Sequence, residues 1–138
     1  MNDDTGGPLA TLAPEVSQDL DELRAHAWSL CDHELLALVR LRVATLLGAA
    51  DHIDDPLVSA RRDELPQWPT SPNFTERERA CLDVAEQFVI DVSNVSDEQV
   101  RRLTDHMTPA EAYGFVCALY VIDYSLRVEL VLDRLFES

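Results

Sequence analysis

His33-Glu34-Leu35-Leu36-Ala37-Leu38-Val39-Arg40-Leu41-Arg42-Val43-Ala44-Thr45-Leu46-Leu47-Gly48-Ala49-Ala50 decides the fold. The stretch predicts a helix over about His33–Ala50 that is apolar on nearly every side, with Asp32 placed to cap it. A helix without a polar face needs cover all round, so it belongs at the centre of a bundle or in a subunit interface. Upstream, Val16, Leu20, Leu23, Ala27 and Leu30 recur at spacings of four and three, which predicts an amphipathic helix from about Pro14 to Leu30.

Downstream the signals are start signals. Asp55-Pro56 predicts a short helix running to about Arg62, with proline in the first turn. Residues 65–74 hold Pro66, Pro69, Pro72 and Trp68 and read as a non-helical connector, either a functional loop or a tether. Three hydroxyl–acceptor pairs then follow: Thr75 with Glu78, Ser96 with Gln99 and Thr108 with Glu111. Each has the capping-box spacing, and they predict helices of about Glu76 to Val92, Asp97 to His106 and Pro109 to Phe136. No segment alternates with period two between hairpin turns, so the class is all-α, with about six helices. Residues 1–13 read as a flexible acidic lead-in, broken by Gly6, Gly7 and Pro8, and 14–138 as a single domain.

Composition removes several functions. The 138 residues carry 26 acidic and 11 basic side chains, a formal charge of −15, which disfavours nucleic acid and anionic membrane surfaces. Every basic residue is arginine, so lysine Schiff-base chemistry and a P-loop are both excluded. The N-terminal stretch has neither the basic nor the apolar region of a secretory signal, and the uncharged run Ala112–Ile122 is too short to cross a bilayer. The expectation is a cytoplasmic protein. Cys31, Cys81 and Cys117 are far apart and odd in number, which argues against a disulfide framework.

The run Leu35 to Ala44 followed by Leu46-Leu47-Gly48 resembles the central helix of the alkylhydroperoxidase D-like and carboxymuconolactone decarboxylase group. Phe74 to Ala80, continued by Ala85-Glu86-Gln87-Phe88, is similar to that group's next helix, and Ala118-Leu119-Tyr120 through Asp123 to Arg127 to its last long helix. The resemblance covers about Leu30 to Leu135 and implies an alkylhydroperoxidase D-like helical bundle that forms homo-oligomers. Redox members of the group carry a C-x-x-C pair, an upstream glutamate and a downstream histidine. Here Ala37 stands at the glutamate position, Ala49 and His52 at the two cysteines, and Pro56 at the histidine. A peroxide-reducing dithiol needs an acidic thiol, a resolving thiol and a proton relay. Disulfide-reductase activity is therefore not expected.

Two constellations remain as candidate chemistry. His52 lies beside Asp51, Asp54 and Asp55 and could serve as a general acid/base, or be an exposed histidine in an acidic turn at a helix end. Tyr120, Asp123, Tyr124 and Arg127 share neighbouring faces of the last helix. The functional reading makes Arg127 a carboxylate anchor with Asp51 also against the substrate, Asp123 an orienter of His52, and Tyr120 or Tyr124 a proton donor. The structural reading makes Asp123–Arg127 a pair at four-residue spacing that links helices or subunits. His26, His33, Glu34 and His106 lack metal-ligand spacing, and neither a metal nor another cofactor is expected. Cys31 precedes a helix cap, where a thiolate would be favoured, but has no base at a defined spacing; it, Cys81 and Cys117 read as small buried residues. Trp28 and Trp68 read as core and loop anchors. The functions left standing are a non-redox acid/base enzyme, a lyase or isomerase acting on a small organic acid, or a catalytically silent homo-oligomeric scaffold, ligand-binding or accessory protein. Residual thiol-dependent antioxidant activity at Cys31 is a third.

Overall fold

The computed structural model describes residues 11, 13–29, 31–50 and 53–136. Among them are five α-helices and no strand: α1 (Pro14–Ser29), α2 (His33–Leu47), α3 (Glu76–Asp91), α4 (Asp97–His106) and α5 (Pro109–Phe136). None is long and apolar enough to cross a membrane. The central helix is α2, packed between α3 and α5, while α1 rests on α5 and α4 on α3. Leu36, Leu38, Val39, Leu41, Val43 and Ala44 of α2 are fully enclosed, facing Cys81, Leu82 and Ala85 of α3 and Phe115, Ala118 and Leu119 of α5. Each buried Leu or Val contributes about 1.5–3 kcal/mol, so this seam dominates the stability of the bundle.

Helix ends follow side-chain chemistry. Asp32 Oδ2 accepts the Leu35 N–H at 3.3 Å and starts α2. All three capping boxes close reciprocally, with hydroxyl bonds of 3.0–3.1 Å and return bonds of 2.9 Å. The sequence carries α2 on to Ala50, but it stops at Leu47. Gly48 adopts the left-handed conformation (φ 78°) and gives its N–H back to the Ala44 and Thr45 carbonyls. Residues 55–62 do not form the expected α-helix. They run through turns and one 3₁₀ turn, Ser59–Arg61, because the Asp55 side chain accepts the Leu57 N–H and so short a segment cannot sustain an α-helix.

On α1 the expected apolar stripe is only partly covered. Ala27 is buried, but Val16 and Leu23 are 45% and 49% exposed, since one neighbouring helix cannot roof the whole stripe. Leu30 lies outside the described residues.

The proline-rich connector is pinned. Arg61 clasps both carboxylate oxygens of Glu78 at 2.8 Å, donates to the Asn73 carbonyl and lies over the Phe74 ring. Glu64 accepts from Ser71 and Asn73, and Arg79 donates to the Ser71 carbonyl. Trp68 is buried and gives its indole N–H to Glu86 Oε2 at 2.7 Å, the same oxygen that takes the Arg42 Nε–H at 2.5 Å. That carboxylate ties connector, α2 and α3 together.

Candidate functional site

A cleft of about 140 Å³ opens where α1 meets α2, lined by Arg24, Trp28, Ala37, Arg40 and Asp55. Helix periodicity builds it. Arg24 and Trp28 are one turn apart on α1, and Ala37 and Arg40 one turn apart on α2, so each helix presents a single face. Ala37 leaves open the space that a longer side chain would occupy. Arg40 is a half-buried cation in the middle of a largely apolar helix. Burial holds its guanidinium below the ordinary value, Arg24 beside it pushes the same way, and Glu129 and Asp55 oppose both. Among the described residues, Arg40 neither donates a hydrogen bond nor forms an ion pair. Two guanidinium groups thus share a half-enclosed space without a protein carboxylate seated on them, an arrangement that an anion would stabilise.

The segment that brings Asp55 to the cleft is held from outside. Arg62 donates to the backbone carbonyls of Ala50 and Ile53, which bracket the bend after α2. Asp51 and His52, between them, lie outside the described residues.

The second constellation sits elsewhere, on the outer face of α5. Arg127 Nε donates to Asp123 Oδ1 at 2.8 Å, and Arg127 Nη2 to the Val89 carbonyl at the end of α3, so this guanidinium is already engaged. Tyr120 is 66% exposed and meets Phe88 edge-on at 5.4 Å, and Tyr124 is also exposed. Asp123 and Arg127 come together, and the two tyrosines flank them on open surface rather than in a cavity.

Of the three cysteines expected to be buried, Cys81 is, while Cys31 and Cys117 are only partly covered. Cys31 Sγ donates to the Glu111 carbonyl at 3.7 Å, and burial raises its pKa although Arg77 pulls it down. Desolvation therefore disfavours a thiolate at Cys31, and the neighbouring Glu111 and Asp32 carboxylates act in the same direction. Cys81 is completely buried and pushed up to about 12, again by burial. No group of three His, Cys, Asp or Glu among the described residues is arranged to hold a metal ion.

Arg24 and Arg40 are absent from the sequence reading. The available signal was Arg40 itself, a charge in the middle of a helix apolar all round. A polar group on so apolar a helix requires a partner, whether it is Asp123 on the last helix or Arg40 on this one.

No family profile matches the sequence. Over 82 residues, 56% of this chain, it is 35% identical to the uncharacterised proteins MT2376 and Rv2313c of Mycobacterium tuberculosis strains CDC 1551 / Oshkosh and ATCC 25618 / H37Rv. The match spans 28% of the length of these curated relatives. The fold is that of the alkylhydroperoxidase D-like proteins. It matches the crystal structure of ATU0492 from Agrobacterium tumefaciens, a protein of unknown function with a suggested assignment as the antioxidant defence protein AhpD. The TM-score is 0.74 at 21% identity, covering 91% of this chain and 93% of that one.

Proposed function

We propose that this chain uses the alkylhydroperoxidase D-like fold for non-redox chemistry and binds a small organic acid in the cleft between α1 and α2. The observation that carries this reading is the pair Arg24 and Arg40, confined in one cleft beside Ala37. In the resemblance, Ala37 occupies the position of the redox members' glutamate. Ala49, at one of the two dithiol positions in the resemblance, lies just past the Gly48 stop of the same helix. Arg40 takes the anchoring role, since Arg127 spends its donors on Asp123 and Val89.

Calorimetric titration of the purified protein with short carboxylic acids tests this, with sodium chloride as the ionic control. Saturable binding is expected for the acids, with loss of about tenfold or more in affinity on Arg40→Met, as a charge-assisted bond is removed. Thiol-dependent turnover of hydroperoxides by the intact protein would overturn the reading.

A further inference from the structure

Arg40 and Asp55 line the same cleft and are close enough for the carboxylate to act on the guanidinium. Opposite charges in a confined space normally close into an ion pair. Here, among the described residues, no ion pair joins Asp55 to Arg40 or to Arg24. Asp55 is instead turned by its own chain: Oδ1 accepts the Leu57 N–H at 3.0 Å, while Arg62 fixes the carbonyls of Ala50 and Ile53 just before it. One bond leaves most of a carboxylate's accepting capacity unused. The cleft therefore has a cationic side made by two helices, an anionic side made by the following loop, and open volume between them. Trp28 and Ala37 supply an apolar wall.

A ligand that satisfies both sides must carry an anion and a hydrogen-bond donor a short distance apart. The volume of about 140 Å³ admits roughly five water-sized groups, enough for a carboxyl head, its neighbouring carbon and one substituent. A dicarboxylate would set its second charge against Asp55. A plain fatty acid would leave Asp55 facing hydrocarbon, which costs free energy because a polar group loses its solvent without gaining a partner.

We infer that the cleft selects acids bearing a donor on the carbon next to the carboxylate, that is, 2-hydroxy or 2-amino acids, with Arg40 and Arg24 on the carboxylate and Asp55 on the donor. The inference rests on the acid-binding reading above and narrows its substrate class.

The experiment titrates the full chain with lactate, alanine, propanoate and inorganic phosphate under one buffer, following heat and the shift in melting temperature. Lactate or alanine is expected to bind about tenfold tighter than propanoate, the discrimination that one hydrogen bond to a charged group provides. Asp55→Asn should bring that ratio down, and Arg40→Met should weaken all of the acids. Circular dichroism establishes that each variant is folded, and Asp55→Glu provides a second test that keeps the charge. Equal binding of lactate, alanine and propanoate, or a ratio untouched by Asp55→Asn, overturns the inference and leaves the acid-binding reading intact. Phosphate binding tighter than any acid overturns the inference as well. Binding of none of the four sinks the acid-binding reading itself.

Discussion

At the residue scale the most consequential polar contact is Arg61 with Glu78. The two hydrogen bonds from Arg61 hold the Glu78 carboxyl below its ordinary value of 4.5, burial opposes them, and the Thr75 backbone adds to the lowering. A depressed folded-state pKa contributes stability above the unfolded carboxylate value and loses it as pH falls through the folded one. Glu78→Gln is therefore expected to cost about 1.5–3 kcal/mol at neutral pH, since a charge-assisted pair and a capping bond weaken together. In thermal melts from pH 7 downward the gap between variant and parent should close below pH 4.5. A gap that stayed constant into acid would remove Arg61 as the cause. The same contact explains why the proline-rich stretch is not a tether. Its composition speaks against helix, but only the position of Glu78 in the folded chain pins it down.

At the scale of elements, the starts of helices were legible and their stops were not. Asp32, Thr75, Ser96 and Thr108 announce their helices because a cap bonds within three residues, a distance that the sequence itself encodes. The end of α2 depends on a choice between Gly48 and the helix-favouring Ala49-Ala50, and Gly48 wins by adopting a left-handed backbone. Gly48→Ala should destabilise the protein by about 1 kcal/mol. No atom lies within 4 Å of an added methyl group, so the cost is conformational rather than steric. Thr75→Ala should cost about 1 kcal/mol through the lost cap. Denaturant titrations of the two variants measure both. The cleft was harder to read. Arg40 and Arg24 belong to different helices, and nothing in their spacing along the chain reveals that α1 lays one guanidinium beside the other. Asp123 and Arg127, by contrast, share a helix at a spacing that can be read directly, which is why their pairing was visible from the start.

For the whole molecule, the all-round apolar character of α2 is explained by its place between α3 and α5, and no partner is needed to cover it. The longest run of uncovered apolar side chains among the described residues lies on α5. Tyr113, Val116, Tyr120, Tyr124, Val131 and Leu135 are all exposed along a helix about 42 Å long, in a protein otherwise rich in carboxylates. Near its end, Leu130, Val131 and Leu135 line an open groove with Leu47 and Gly48. A stripe of this length is expected to be covered by a second copy of the chain. Light scattering after gel filtration should return a multiple of the 15.5 kDa chain mass, falling toward the single-chain value in a Tyr120→Glu, Tyr124→Glu double variant. A parent protein of single-chain mass would show that the stripe serves another purpose.

The two tryptophans occupy opposite situations. Trp28 stands half-buried in the wall of the cleft, and Trp68 is buried with its indole bonded to a carboxylate. Each side chain thus supplies a separate optical signal. Emission from Trp28 reports on what enters the cleft, and emission from Trp68 on whether the connector is still seated. Replacing either by phenylalanine isolates the other, so the molecule contains its own means of telling occupancy from unfolding without any attached dye.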